Sequence, residues 1–140
     1  MVEINYECIR DILIYLKTHL GYASDKHDLI RLDWKDIINS KELLDIYEDP
    51  DIIRYNLEKM YELHYLNMYK YHKLPSGRVD NFIIEDISPT GYQFLDMVQR
   101  DDVWDKIKKT LKSYGGEGYK FLSAVSIQVV SAAIKHHMGL

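Results

Sequence analysis

The sequence predicts a mainly α-helical α+β domain, namely a winged helix-turn-helix core with a C-terminal helical extension. Apolar residues recur at three- and four-residue spacing along most of the chain, as they do on the buried side of an α-helix. After Leu66 the pattern changes to alternation around the turn sequence Pro-Ser-Gly-Arg, which is typical of an antiparallel β-hairpin. The resulting order of helix, small strand, helix, helix and two-stranded hairpin is that of a winged-helix domain.

The elements before the hairpin are predicted from apolar residues at helical spacing and from residues that cap or end helices. A first helix is predicted over residues 5–20, with Gly21 placed to end it. The short apolar run at 29–34 predicts a brief strand or the beginning of a helix. Ser40 is predicted to cap the next helix. Pro50 suits the first turn of a further helix, because the residue before a proline disfavours helical angles and ends the helix before it.

After the hairpin the pattern returns to helices. Ser88 is predicted to cap a helix that has Pro89 at its first position. A second helix is predicted over 102–113, and a last helix over about 118–137 follows a glycine-rich break. The last helix is apolar around much of its circumference, so it either docks in a groove of its own domain or pairs with a second copy as a homodimer.

Length and composition fit one compact domain, with a winged-helix core at 1–98 and a helical extension at 99–140. The 140 residues are 46% hydrophobic and 29% charged, as is usual for a globular protein. The single cysteine, Cys8, cannot form an internal disulfide. No secretory signal is expected, and no apolar segment approaches the roughly 20 residues needed to cross a bilayer. We therefore expect a cytoplasmic protein that has no membrane partner.

The formal net charge of −4 lowers the expectation of phosphate binding, but the charge is unevenly distributed. Residues 40–66 contain seven acids and three bases, whereas residues 67–80 contain three bases and one acid. The sign of the local charge therefore changes where the predicted hairpin begins.

The stretch "ISPTGYQFLDMVQRDDVWDKIKK", residues 87–109, resembles the signature of an uncharacterised family of small bacterial and phage proteins that carries only a domain-of-unknown-function label. The matching positions are Gly91, Phe94, Leu95, Asp96, Asp101, Trp104 and Lys106. Two departures appear: the family's arginine falls at Gln99, with Arg100 displaced by one, and the asparagine before the lysine is Asp105. The resemblance implies a winged-helix core and an origin in phages or other mobile elements, without a known activity, cofactor or catalytic residue.

Sequence motifs of enzymes are absent. The chain has no glycine-rich phosphate loop, paired-cysteine motif, His-Glu-x-x-His sequence or nucleophile elbow. His136 and His137 adjoin, but neighbouring residues on a helix point about 100° apart and could not chelate one ion without further ligands. We therefore expect a non-enzymatic protein with no catalytic residues, cofactor or metal site.

The first function hypothesis is a DNA-binding regulator of a phage or mobile element that contacts double-stranded DNA through the hairpin, the wing of the predicted fold. In winged-helix proteins the helix before the wing enters the major groove, and the wing touches the backbone or minor groove. That helix offers Arg54, Asn56 and Lys59, but its acids would repel phosphate. The candidate nucleic-acid-binding residues are Arg54, Lys59, Tyr69, Lys70, Tyr71, Lys73 and Arg78. Hairpin loops are also often basic for solubility alone.

The alternative hypothesis is a protein-binding module, such as a phage-encoded inhibitor of a host defence or nucleic-acid enzyme. An acidic, tyrosine-rich face would dock on a basic host or phage protein, because tyrosine buries a large area and keeps a hydroxyl for the rim of an interface. The candidate partner-binding residues are Glu42, Asp45, Glu58, Glu62, Tyr61 and Tyr65. At least one of the two tyrosines is expected instead to pack its helix onto the core.

Overall fold

The computed structural model describes residues 4–22 and 29–113 of the chain. The predicted last helix, the proposed dimer contact on it, and His136 with His137 lie outside these residues. The chain groups into two compact units, Met1–Tyr92 and Gln93–Leu140, each of which is described by itself. The predicted domain boundary after residue 98 stays a prediction.

The described part of the chain is a mixed α+β structure with six helices and a small three-stranded antiparallel sheet. The helices are α1 (Tyr6–His19), α2 (Trp34–Ile38), α3 (Lys41–Tyr47), α4 (Pro50–Glu62), α5 (Pro89–Val98) and α6 (Asp101–Ser113). The strands are β1 (Gly21–Tyr22), β2 (Leu29–Ile30), β3 (Leu32–Asp33), β4 (Leu66–Lys73) and β5 (Val79–Ile87). The predicted combination of helices with an antiparallel hairpin is confirmed.

Capping side chains fix the beginnings of the helices. The Asn5 side chain accepts a hydrogen bond from the Cys8 N–H at 3.1 Å and starts α1, and the Ser40 hydroxyl accepts from Leu43 N–H and starts α3. Asp49 caps α4, which has Pro50 at its first position. These bonds satisfy N–H groups that have no partner inside a helix. The predicted roles of Ser40 and Pro50 are confirmed.

The apolar run at 29–34 forms two short strands, β2 and β3, and also begins the helix α2. Strand β3 contains only two residues, and Asp33 at its end accepts a hydrogen bond from the Lys35 N–H at 3.0 Å to cap α2. The five residues of α2 bury Trp34, Ile37 and Ile38. Elements this short contain less than two full repeats of their apolar pattern, so a strand and a helix start were predicted as alternatives, and the structure has both.

The three-stranded sheet has the order β3-β5-β4, and both pairings are antiparallel. The predicted β-hairpin is confirmed as β4 and β5, which we call the hairpin. Its turn is closed by the Leu74 N–H, which donates to the Arg78 carbonyl at 2.8 Å, and Gly77 adopts a φ of 90° there. Such a φ is strained for most residues but not for glycine. Separately, β1 and β2 form a two-stranded antiparallel pair.

The core of the first unit lies between the helices and one face of this sheet. Phe82 and Ile84 of β5 are fully buried, as are Ile53 and Leu57 of α4. The Trp34 ring of α2 stacks on the Phe82 ring, with the ring centroids 5.5 Å apart. Helices α1, α2 and α4 thus cover the inner face of the hairpin. Among the described residues, Tyr69 and Lys70 of β4 and residues 75–78 of the turn are exposed.

A close backbone contact fixes the start of α5. The Ser88 hydroxyl accepts a hydrogen bond from Gly91 N–H at 3.0 Å and donates to the His64 carbonyl, which confirms the predicted cap. Ser88 N–H also donates to the Tyr65 carbonyl. A Cβ on Gly91 would overlap that Tyr65 carbonyl oxygen and would lie 2.7 Å from Ile87 Cγ2. The absence of a Cβ at Gly91 therefore permits α5 to begin directly against the chain that follows α4.

In the second unit, α6 buries Val103, Trp104 and Ile107. The Arg100 guanidinium makes two hydrogen bonds with the Asp102 carboxylate, at 2.8 and 3.2 Å, in the first turn of this helix. The buried positions agree with the predicted apolar side of a helix at 102–113. Of the helices that the structure describes, none is long and apolar enough to span a membrane.

Candidate nucleic-acid interface

The hairpin presents three exposed cations. Lys70 and Lys73 extend from β4, and Arg78 lies in the turn between the strands. No ion pair joins any of the three to a carboxylate of the described residues. Three positive charges are therefore available on one β-hairpin.

The acids of the hairpin have partners. The Asp80 carboxylate lies 2.5 Å from His72 Nδ1, and the Glu85 carboxylate lies 3.6 Å from Arg31 Nε. Asp86 accepts a hydrogen bond from the Tyr92 hydroxyl at 3.1 Å. These contacts hold the carboxylates in place without involving Lys70, Lys73 or Arg78, so the lysines and the arginine keep their charge uncompensated.

The two candidate tyrosines of β4 lie in different surroundings. Tyr69 is at a β-bulge and is 49% exposed, and the Arg31 guanidinium carbon lies 4.0 Å from its ring centroid. Tyr71 instead stacks on Tyr61 of α4 with ring centroids 4.1 Å apart. Burial, followed by the negative charge of Glu58, raises the pKa of Tyr71. Tyr69 can meet a ligand, whereas Tyr71 connects the hairpin to α4.

Arg31 is a cation that sequence reasoning missed. It joins β2 to β3 and reaches Tyr69 because β3 pairs with β5, beside β4. A basic residue in a short apolar run gave no signal of this, since the neighbouring strand lies more than thirty positions along the chain. Arg31 adds a further positive group near Tyr69, although Glu85 pairs with it.

Arg54, which was predicted to read DNA from α4, is engaged within its own unit. Its Nη2 donates a hydrogen bond to the Val79 carbonyl at the start of β5. Its guanidinium carbon lies 4.5 Å from the centroid of the Trp34 ring, and its Nε lies 3.6 Å from Glu58 Oε1. These three contacts hold the guanidinium between α4 and the hairpin.

The other polar groups of α4 are also occupied. Asn56 is completely buried, where its amide oxygen accepts from the Asn5 N–H at 2.8 Å, so it has no surface with which to contact a base. Lys59 Nζ lies 3.0 Å from Glu62 Oε2 and 5.2 Å from the Tyr55 ring. Both basic residues of α4 are therefore paired with glutamates of the same helix.

The residues of the alternative, protein-binding hypothesis lie on α3, on α4 and just after α4. Glu58 and Glu62 are in the ion pairs with Arg54 and Lys59. Glu42 lies 3.2 Å from His19 Nε2, and Asp45 is exposed. Tyr61 is half-buried against Tyr71. Tyr65 is only 6% exposed, and burial raises its pKa to about 12, so it packs into the core as one of the two tyrosines was expected to do.

Metal-binding and nucleophilic groups are not assembled in the part of the chain that the structure describes. No three His, Cys, Asp or Glu side chains there are grouped to hold a metal ion. Burial, with a smaller effect of the Asp11 charge, raises the pKa of Cys8 to about 12, so the thiol stays protonated and unreactive near neutral pH.

Comparison with known proteins identifies one family. Searches of curated proteins and of solved structures each gave no significant match. The family model described as "Hypothetical protein (DUF2513)" matches residues 3–117, a range that includes the stretch 87–109. The predicted resemblance to an uncharacterised family is thereby confirmed, and the chain belongs to the DUF2513 family of hypothetical proteins.

Proposed function

We propose that this protein is a non-enzymatic winged-helix protein that binds double-stranded DNA mainly through its hairpin. The winged-helix arrangement is supported by the strand order β3-β5-β4, in which a short strand after the first helix pairs with the second strand of the hairpin. It is also supported by α4, which directly precedes the hairpin as a recognition helix precedes a wing. In this proposal the hairpin is the wing.

The observation that carries the proposal is the set of exposed cations Lys70, Lys73 and Arg78, none of which pairs with a carboxylate of the described residues. Phosphate contacts supply most of the affinity in nonspecific DNA binding, and lysine and arginine make many of them. Tyr69 adds an exposed aromatic ring beside Lys70. A phosphate can approach these residues without first breaking an ion pair.

Helix α4 contributes less to DNA binding in this proposal. A phosphate that approached Arg54 or Lys59 would have to displace Glu58 or Glu62. The two glutamates would remain near the phosphate and repel it. We therefore assign the hairpin the larger share of the contacts.

The resemblance to phage and bacterial proteins adds a biological setting to the proposal. A regulator of a phage or other mobile element would act on DNA in the cytoplasm, and a dimer would contact two half-sites. The helix predicted from the sequence at about 118–137 is the proposed dimer contact.

A protein-binding role is the second candidate, and α3 favours it. Ile46 is 59% exposed beside the exposed Asp45, and an exposed aliphatic side chain next to an acid suits the edge of a protein interface. An inhibitor of a host enzyme would use this face against a basic partner. The pairing of Glu58 and Glu62 makes α4 a weaker part of such a face.

The DNA proposal is tested by the salt dependence of binding to a duplex. Lys70→Ala, Lys73→Ala and Arg78→Ala combined should weaken binding, measured by fluorescence anisotropy. They should also reduce the slope of log affinity against log salt by up to about three, because each phosphate contact contributes about 0.9. Each single substitution should reduce the slope by about one if that residue contacts a phosphate.

A matched control variant has the same net charge as the triple variant of the hairpin. Lys35→Ala, Lys41→Ala and Lys109→Ala combined remove the same charge from exposed positions outside the hairpin. This variant should keep nearly the wild-type slope. Wild-type protein that binds no duplex at low salt would remove the proposal, and equal losses in both triple variants would show that overall charge, not the hairpin, governs binding.

A further inference from the structure

We propose that Arg54 is a positioning residue, which holds the hairpin in its DNA-binding orientation and does not itself contact DNA. This inference rests on the proposed function. It reassigns a residue whose place in the sequence suggested direct contact. The reasons are the backbone group that Arg54 binds, the surroundings of its guanidinium, and a second contact between α4 and the hairpin.

The first reason is a carbonyl group that the sheet leaves open. Within the described residues, β3 pairs with β5 at Ile84 and Ile83 and does not extend to Val79. Val79 is buried and lies at the first residue of β5, opposite Lys73. A buried carbonyl that accepts no hydrogen bond from a donor is unfavourable. Arg54 Nη2 donates to the Val79 carbonyl and so supplies the partner.

The second reason is that the guanidinium is held by three elements. It lies over the Trp34 ring of α2, its Nε faces Glu58 of α4, and its Nη2 reaches β5. The side chain of Arg54 is only 19% exposed. The planar guanidinium suits simultaneous stacking and hydrogen bonding. Moving it onto a phosphate would break all three contacts at once.

The third reason is that α4 also contacts the other strand of the hairpin. Tyr61 of α4 stacks on Tyr71 of β4, while Arg54 binds β5. Strand β3 pairs with β5 only at Ile84 and Ile83, so the rest of the hairpin is two-stranded. An isolated two-stranded hairpin is marginally stable in water. Together with the core packing of Phe82 and Ile84, the two contacts therefore help to fix how the hairpin is oriented on α4.

Orientation matters because the candidate DNA contacts lie beside the Arg54 contact. Lys73 pairs with Val79, and Arg78 immediately precedes it. If the hairpin moved freely, DNA would have to order it on binding, which weakens affinity. Arg54 thus increases affinity through the placement of Lys73 and Arg78, without adding a phosphate contact of its own.

The test uses Arg54→Met together with Glu58→Gln, which leaves the net charge unchanged. Duplex affinity should fall about tenfold, because an unrestrained hairpin must be ordered on binding. The salt slope should remain that of the wild type. Under native conditions, trypsin should cut after Lys73 and Arg78 about tenfold faster, because cleavage follows the population of locally open hairpin. Arg54→Lys, which keeps a donor and a cation but loses the planar group that stacks on Trp34, should restore only part of the protection.

Two controls separate positioning from other effects. Lys73→Gln should reduce the salt slope by about one without speeding the cut after Arg78. Leu43→Ala removes a buried side chain of α3 and reports the effect of general destabilisation. At equal global stability, measured by urea unfolding, trypsin should cut the hairpin of Leu43→Ala more slowly than the hairpin of the Arg54 variant.

The outcomes are distinct. A salt slope that falls by about one in the double variant would make Arg54 a phosphate contact and overturn the inference. Hairpin cleavage no faster than in Leu43→Ala would also overturn it. If wild-type protein binds no duplex, the proposed function fails, and the cleavage rates still decide whether Arg54 holds the hairpin.

Discussion

Helix α4 and the hairpin carry similar sets of charged residues but pair them in opposite ways. In α4 both basic residues, Arg54 and Lys59, are in ion pairs with glutamates of the same helix. In the hairpin the acids have the partners: Asp80 contacts His72, and Glu85 contacts Arg31. The lysines of β4 and the arginine of the turn are left without a carboxylate among the described residues.

The difference follows from the geometry of the two elements. On a helix, residues three and four positions apart are neighbours, so acids and bases at those spacings neutralise one another. On a hairpin, the neighbour of a side chain is the residue opposite it on the other strand. Lys70 lies opposite Ile83 and Lys73 lies opposite Val79, so both face an apolar residue. Net charge of a segment therefore does not indicate which surface can attract an anion.

The largest expected effect distinguishes the inner face of the hairpin from its outer face. Phe82→Ala should lower the free energy of unfolding by about 3–5 kcal/mol, because it removes a fully buried ring that contacts Trp34 and Tyr71. Tyr69→Ala on the outer face, where the ring is half exposed, should cost much less, about 0.5 kcal/mol. Urea unfolding of both variants measures the difference. Similar losses would mean that the outer face also contributes to the core.

The next effect concerns the junction where α4 and the hairpin end. Gly91→Ala should destabilise the fold by about 1–3 kcal/mol, because the added Cβ would overlap the Tyr65 carbonyl and crowd Ile87. Alanine is the better helix former by about 1 kcal/mol, so a measured loss means that the clash outweighs helix propensity. Thermal or urea unfolding provides the measurement.

The neighbouring Thr90→Ala is the matched control for that variant. Thr90 is exposed in the same first turn of α5, so its substitution should change stability little. A Gly91→Ala protein as stable as the wild type would show that the junction can move apart. The lack of a side chain at Gly91 would then have no role in packing.

Local rules account for the part of the fold that the sequence predicted. The capping bonds of Ser40 and Ser88 and the effect of Pro50 on the helix start act within four residues, and the caps and helix starts at these positions are as expected. The hairpin was likewise evident from its alternation and its turn. Strand β3 and helix α2 are too short for their type to be assigned from periodicity.

Long-range contacts account for the part of the candidate site that could not be predicted. The contacts of Arg54 with Trp34 and Val79 join positions 20 and 25 residues away, so its internal role has no local signal. The signature glycine is similar, because Gly91 was recognised by resemblance while its reason lies at Tyr65. The exposed cations of the hairpin were predictable because their exposure depends on strand and turn position alone.

The smallest effect tests whether the paired glutamates of α4 still act on the hairpin. Burial, then the charge of Glu58, raises the pKa of Tyr71 above its ordinary value of 10.0. The folded protein therefore holds the Tyr71 proton more tightly than the unfolded chain does. The resulting stabilisation is complete below about pH 10 and is lost as the pH rises through the raised pKa of the folded state.

Glu58→Gln should lower the pKa of Tyr71, as followed by NMR titration of its ring, because it removes a nearby negative charge. The loss of stability at alkaline pH should then be smaller than in the wild type, since the pKa values of the folded and unfolded states become closer. Glu42→Gln on α3 is the matched control and should leave the pKa of Tyr71 unchanged. An unchanged titration in Glu58→Gln would mean that Arg54 neutralises the Glu58 charge completely, so that this charge does not act on Tyr71.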